Sequence, residues 1–363
     1  MPDHDEVRRL HGFHHLRVRR VVPETADARS FVLDVPDDLA DLFAYRPGQF
    51  CTFRVHVGDD ELQRCYSMSS APETDPALTV TVKRVPGGAV SNWLLDNVAE
   101  GDELEVTKPA GVFCVPDGDA PVAAFCGGSG VTPVMSIAKS VLAATDRPVR
   151  VLYANRDADS VIFRDDLDRL QQEHPDQLEL HHHLDSDGGY LTADDVRSFA
   201  AASGDGALFF LCGPTPFMDL VERTLLDDGV PAERIFLERF GDQPGPAVGE
   251  PSPAPGGSVD EVADAGDEPD ATETVTVILK GKRTDVGYHA GDTILQTARA
   301  GGLQAPFSCE AGNCATCMAM VHEGSATMRT NNALTPEEVE EGWVLTCQSL
   351  PHGKHVVVEY EDL

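Results

Sequence analysis

The stretch at 242–270, DQPGPAVGEPSPAPGGSVDEVADAGDEPD, constrains this chain more than any other feature. It holds six Pro, five Gly and eight acidic residues and no Lys or Arg, so it has little apolar surface to bury and its charges repel one another. No single core can run through it. A flexible tether over 242–271 is expected. It divides the 363 residues into a long N-terminal part and a C-terminal domain over 272–363.

The N-terminal part changes character once more. From Phe13 to Val112 the runs HLRVRRVV, SFVLDV, QFCTFRVHV, ALTVTVKRV and DELEVTKP read as strands, separated by Gly, Pro and Asp. An antiparallel barrel or sandwich is expected over 10–114. After Pro116 the apolar strands PVAAFCGG, PVRVLYANR, LELHHHL and ALFFLCGP alternate with helical segments such as VTPVMSIAKSVLAA and RDDLDRLQQEH. That alternation predicts a parallel, doubly wound α/β sheet over 115–241. The C-terminal domain reads as strands TVTVILKG and RTDVGYHA, a helix in TILQTARAGG, then strands CMAMVHEG and HVVVEY. This α+β pattern suits a small sheet with a helix across it.

Within that last domain, FSCEAGNCATC places Cys309, Cys314 and Cys317 at C-x4-C-x2-C spacing, and Cys347 in WVLTCQSL supplies a fourth ligand. This is the plant-type [2Fe–2S] spacing. Thiolates are soft ligands suited to iron–sulfur clusters and to zinc. The small residues Ala311, Gly312 and Ala315 let backbone N–H groups approach the sulfurs. Zinc is the rival, but zinc sites favour paired C-x2-C knuckles or mixed Cys/His sets, and only one C-x2-C pair is present. Cys51, Cys65, Cys114, Cys126 and Cys212 are not expected to be ligands.

The formal net charge of −33 opposes binding to nucleic acid or to an anionic membrane surface. MPDHDEVRRL has no apolar h-region and no apolar run reaches membrane-spanning length, so a cytoplasmic protein is expected. In that compartment nine cysteines do not imply a disulfide framework. A monomer is expected.

Further motifs lie upstream. RCYSMSS, residues 64–70, ends a strand with a cation, an aromatic and hydroxyls. Arg suits phosphate and an aromatic covers a flat ring. KRVPGGAVSNWLLDN puts Gly87, Gly88 and Ser91 at a helix N-terminus, where amides bind phosphate. CGGSGVTP, residues 126–133, is a Gly-rich strand-to-helix turn. CGPTPFM, residues 212–218, and FLERF, ending at Phe240, follow.

In this order the motifs resemble those of the ferredoxin-reductase family over roughly residues 10–241, and residues 272–363 resemble plant-type ferredoxins. Reductase first and ferredoxin last is the arrangement of the phenylacetyl-CoA epoxidase and ketosteroid 9α-hydroxylase reductase group. The resemblance implies an antiparallel β-barrel FAD domain, a doubly wound nucleotide-binding domain and a β-grasp-like ferredoxin domain. It further implies that Arg64 holds the FAD pyrophosphate, Tyr66 lies along the isoalloxazine and Ser67 sits near flavin N5. Gly88, Ala89, Val90 and Ser91 would form the second FAD element. Gly128, Gly130 and Thr132, with Gly213 and Pro214, would hold the nucleotide. Cys212 would lie beside the nicotinamide, and Glu238 and Phe240 would approach the flavin. The implied activity is electron transfer from NAD(P)H through FAD to the [2Fe–2S] cluster and on to a separate terminal oxygenase. Alternatives are a ferredoxin carrier fused to an inactive scaffold, or a reductase acting on its own small substrate.

After the second α/β strand, YANRDADSVIFRDDL sets Arg156 among Asp157, Asp159, Asp165 and Asp166. A 2′-phosphate wants clustered cations, so NADH is expected, with NADPH the alternative. Glu310 and Ala315 stand where family ferredoxins often carry Arg and Gly. His181, His182 and His183 lie in one strand and point to opposite faces, so they are not expected to form a metal site. His14 and His15 are read as structural. PEEVEEGW, with Glu337 to Glu341, is either a docking surface for the oxygenase or a solvated helix face.

Overall fold

The computed structural model describes residues 10–58, 60–240 and 272–361. The acidic Pro/Gly stretch expected as a tether lies outside the described residues.

Strands β1 (His14–Thr25), β2 (Ala28–Asp34), β3 (Phe50–Val57), β4 (Asp60–Ser67), β5 (Leu78–Lys83) and β6 (Glu103–Val106) form one sheet in the order β4-β3-β6-β1-β2-β5. Every pairing in it is antiparallel. A bridge between Met68 and Val80 ties the residue after β4 to β5, joining the two edges into a barrel. Closure removes the exposed edges such a sheet would otherwise present. The alternation of the strands sends Leu16, Val18, Phe31, Leu33, Phe53 and Val80 inward. Helix α1 (Ala89–Asn97) follows β5 and adds Val90, Leu94 and Leu95 to the same core.

The second sheet is parallel, with β7 (Val122–Gly127), β8 (Val149–Asn155), β9 (Leu178–Leu184), β10 (Leu208–Cys212) and β11 (Ile235–Glu238) in the order β11-β10-β7-β8-β9. Strand β7 is buried along its whole length. Its Val122, Ala124 and Cys126 face a core shared with helix α2 (Val131–Ala144) and α3 (Arg164–Glu173). Ala123 and Phe125 face the opposite core, with α4 (Ala193–Ala202) and α5 (Thr215–Asp227). Helices thus cover both faces, and the chain order reverses at β7. Ligands of such sheets bind at the carboxyl ends of the strands beside that reversal.

The third sheet joins β12 (Thr274–Leu279), β13 (Lys282–Gly287), β14 (Met318–Met328), β15 (Trp343–Leu345) and β16 (Ser349–Tyr360) in the order β13-β12-β16-β14-β15. Strands β12 and β16 run parallel; the other pairs are antiparallel. Helix α6 (Ile294–Ala300) opens with a Thr293/Gln296 capping box and lays Ile294, Leu295 and Ala298 on the sheet. This is the β-grasp-like arrangement expected. Helix α7 (Pro336–Glu341) precedes β15. Among the described residues no helix is long and apolar enough to cross a membrane.

Trp343 is completely buried in the third core, and its indole N–H has no partner among the described residues. Trp343→Ala should cost about 3–5 kcal/mol. Trp343→Phe should cost far less, because it removes an unpaired N–H along with the volume. Urea unfolding followed at the visible absorbance of the C-terminal domain checks this; an unchanged midpoint for Trp343→Ala would contradict it.

Candidate functional site

Strand β4 pairs with β3 so that Arg64 faces Phe53, Tyr66 faces Cys51 and Ser67 faces Phe50. The Tyr66 ring stands edge-on to Phe53 at 5.5 Å. Burial pushes its phenol up, so it stays neutral at physiological pH. Ser67 is buried, and Ser70 at the end of the motif pairs with the Tyr45 hydroxyl at 2.7 Å. Arg64 donates to the Gln63 carbonyl at 2.6 Å.

At the start of α1, Gly87 takes φ +74° and Gly88 an extended conformation. A Cβ on Gly88 would lie 2.8 Å from Ser91 Oγ and 2.9 Å from Val85 Cβ. Only glycine fits there. Ser91 Oγ accepts from the Val85 N–H at 3.2 Å and braces the turn. The first amides of α1, on Ala89, Val90 and Ser91, have no partner within the helix and suit a phosphate. These residues therefore fit FAD.

The nucleotide side is built by close backbone approach. Gly128 takes φ +53°. Gly130 has an ordinary φ, but a Cβ there would sit 2.0 Å from the Cys212 carbonyl oxygen. One on Gly127 would meet Pro214 Cδ at 2.9 Å, and one on Gly213 would meet Gly127 N at 3.0 Å. CGGSGVTP and CGPTPFM are thus two halves of one cradle at the ends of neighbouring strands β7 and β10. The Tyr153 hydroxyl donates to the Gly128 carbonyl at 3.1 Å and accepts from the Ile162 N–H at 3.2 Å, fixing the turn from below. The Thr132 hydroxyl donates to the Ser129 carbonyl at 3.1 Å. The cradle fits a pyrophosphate at the N-terminus of α2.

Cys212 and Glu238 are direct neighbours on β10 and β11. The Cys212 thiol is fully buried and burial raises it, so it acts as a neutral, packed group. Burial also lifts the Glu238 carboxyl to about 7. Phe240 packs against the core that holds Cys212 and Phe210. A chain of contacts links this end to the flavin strand, beginning with Phe113, next to Cys114, whose ring stands edge-on to Phe210 of β10 at 5.3 Å. Phe50 pairs with both Ser67 and Ala110, its ring abuts Gly111, and the Gly111 carbonyl lies 4.0 Å from the Cys114 sulfur. Arg156 is held by Asp157 at 3.0 Å and Ser160 at 2.9 Å, so it braces the turn after β8.

The cluster loop has backbone N–H groups aimed at sulfur. Ala311 and Asn313 amides point at Cys309 Sγ from 3.5 and 3.4 Å. The four thiols stand as two contacting pairs, Cys309 with Cys314 and Cys317 with Cys347. Contact with Cys314 first, then burial, pushes Cys309 up; contact with Cys347, then burial, pushes Cys317 up. Sulfurs this close cannot all ionise without a cationic centre between them. Among the described residues no three ligating side chains converge on one metal ion. The four thiols suit the four thiolate ligands of a [2Fe–2S] cluster. Glu310 and Ala315 both adopt positive φ, +49° and +56°. Arg299 grips Glu310 with two hydrogen bonds of 2.8 Å and lies over the Phe307 ring at 3.9 Å.

Cys65, between Arg64 and Tyr66, meets Ser308 Oγ at 2.9 Å and also contacts Cys314. The cluster loop therefore rests on the flavin motif. Sequence reasoning sets Cys65 aside as a scattered thiol and passes over Tyr153 and Arg299; nothing local distinguishes them. The three consecutive histidines take separate partners: Glu179 for His181, the Tyr153 ring for His182, the Gly189 carbonyl for His183.

Residues 15–114 match the family described as oxidoreductase FAD-binding domain, residues 125–223 the oxidoreductase NAD-binding domain, and residues 277–352 the 2Fe-2S iron-sulfur cluster binding domain. The chain is similar to the ferredoxin reductase component of 3-ketosteroid-9-alpha-monooxygenase from Rhodococcus rhodochrous, with 42% identity over 95% of this chain and 96% of that one. It is 33% identical to the reductase component of glycine betaine monooxygenase from Pseudomonas aeruginosa, over 96% of each chain. The crystal structure of phthalate dioxygenase reductase matches with a TM-score of 0.59 at 24% identity, covering 96% of this chain and 98% of that one. That last likeness speaks for the fold alone.

Gly130→Ala should force the two halves of the cradle apart and raise the KM for the nucleotide about tenfold or more, with FAD content unchanged. An unchanged KM would refute the shared cradle. For Glu238, a folded-state value raised from 4.5 to about 7 means the protonated form favours folding. That stability is full below pH 4.5 and is lost as pH rises through 7. Glu238→Gln should thus match the parent near the low end of this window and melt higher above it. A difference in melting temperature that is flat with pH would contradict the raised value.

Proposed function

The chain belongs to the family of oxygenase reductases that join FAD, nucleotide and plant-type [2Fe–2S] domains, and on that premise we propose that it draws electrons from NADH and delivers them singly to a separate terminal oxygenase. The observation that carries this reading is the seating of the cluster loop on the flavin motif, through Cys65, Ser308 and Cys314. A carrier with an inactive scaffold would have no need of that contact, nor of the glycine cradles at Gly88 and Gly130.

In this reading residues 10–114 hold FAD, 115–241 hold the nucleotide, and 272–363 hold the cluster beyond the tether at 242–271. Bound FAD accepts an electron pair as hydride and the cluster accepts single electrons. Arg64, with Gly88, Ala89, Val90 and Ser91, neutralises the FAD phosphates. Tyr66 covers one face of the flat ring and Ser67 places a hydroxyl at its reacting edge. Gly128, Gly130, Thr132, Gly213 and Pro214 hold the nucleotide pyrophosphate against α2. Cys212, Glu238 and Phe240 wall the place where the two rings meet and keep water out. Cys309, Cys314, Cys317 and Cys347 hold the irons. Arg156 is already paired with Asp157 and Ser160, and Asp159, Asp165 and Asp166 lie close in sequence, so a 2′-phosphate would meet carboxylates beside this one cation, which favours NADH. Relatives at 39–42% identity carry the ketosteroid name, so a 3-ketosteroid oxygenase is the first partner to test.

Anaerobic NADH should bleach both flavin and cluster bands of the purified protein, and NADPH should do so at least about tenfold more slowly. Protein that retains cluster absorbance but binds no flavin would overturn the reading in favour of the carrier.

A further inference from the structure

His11 lies just ahead of β1, and Glu338 lies on α7 of the third sheet's domain. They are separated by 327 positions, yet His11 Nε2 is 2.6 Å from Glu338 Oε1. Both are buried, at 6% and 7% exposure. We propose that His11 and Glu338 are positioning residues, a latch that seats the ferredoxin domain on the FAD domain with the cluster loop against β4. What the latch positions rests on the electron-transfer reading above.

The geometry of Glu338 supports a fixed anchor. Its other oxygen, Oε2, accepts from the Thr335 N–H at 2.8 Å, while Thr335 Oγ1 accepts from the Glu338 N–H at 3.3 Å. This capping box holds the carboxylate still and leaves Oε1 aimed out of its own domain. With a carboxylate as acceptor, the His11 proton sits on Nε2. His11 Nδ1 has no partner among the described residues, so the imidazole is committed to one contact. Lys108, half-buried after β6, adds its positive charge near Glu338.

The energetics suit a latch better than a weld. Burying a carboxylate is costly, and the hydrogen bond offsets that cost only while the domains are docked. On separation both groups regain water. Such a pair contributes little net affinity but strongly specifies where the domains meet. A second contact, Cys65 with Ser308 at 2.9 Å, adds a further point. Ser308 immediately precedes the ligand Cys309, and α7 leads through Gly342 and β15 to the ligand Cys347. The two anchors thus lie upstream of the first and last cluster ligands and fix the loop's rotation as well as its distance.

The test uses the full-length protein with three variants. His11→Leu removes the donor without touching the ferredoxin domain. Glu338→Gln keeps the cap but loses the charge. His11→Gln retains an N–H able to reach the carboxylate. Anaerobic stopped flow reads flavin reduction by NADH and the later transfer from flavin to cluster. Hydrogen–deuterium exchange of residues 335–341 in the oxidised protein reads docking without any turnover. The expected result is unchanged flavin reduction, about a tenfold loss of internal transfer in His11→Leu and Glu338→Gln, equal to one charged hydrogen bond, and recovery in His11→Gln. Exchange should rise in the first two. Unchanged exchange, or faster exchange with unchanged transfer, overturns the latch. If Glu338→Gln sheds the cluster, His11→Leu decides. If NADH fails to reduce flavin in the parent protein, the electron-transfer reading falls, and the exchange data alone still decide whether the pair docks the domains.

Discussion

The hydrogen bond from the Ser136 hydroxyl to the Ser70 carbonyl, 2.6 Å long and buried, sets the relation between the two halves of the reductase. Ser70 ends the flavin motif, and Ser136 lies on α2, whose N-terminus carries the glycine turn. Lys139 with Asp75, and Ser140 with Glu73, extend the same seam. In the proposed reading, this seam fixes the distance between the strand end that would hold the flavin and the glycine turn that would hold the nucleotide, and so how the two rings can meet. Reactant positioning of this kind can supply much of a barrier's reduction without any catalytic acid or base. On the proposed reading, Cys212 and Glu238 would serve as walls of that meeting place and not as proton carriers.

The third domain meets the same flavin motif. Its cluster loop contacts β4 at Cys65, the residue between Arg64 and Tyr66. Within the loop itself the charges are balanced. Glu310 places a carboxylate beside Cys309, and Arg299 from α6 meets it with two hydrogen bonds while stacking on Phe307.

Much of this is legible in the chain itself. Strand alternation announces the barrel, the alternation of strands with helices announces the parallel sheet, and the spacing of four cysteines announces the cluster. What stays hidden is non-local. Barrel closure through Met68 and Val80 leaves no local mark. The need for Gly130 comes from the Cys212 carbonyl, far away in sequence. His11 looks like any histidine in a histidine-rich start, and Cys65 like a spare thiol, until folding brings them to the third domain. Strand β15 and helix α7 are too short for periodicity to register.

The central claim is that one chain carries electrons from NADH through flavin to the cluster. An anaerobic titration of purified protein with NADH, followed by visible absorbance and by the paramagnetic signal of the reduced cluster, tests it most directly. Uptake of about three reducing equivalents per chain is predicted, two at the flavin and one at the cluster, with the cluster signal rising in step. Uptake that stops at about two, with the cluster still oxidised, would contradict it.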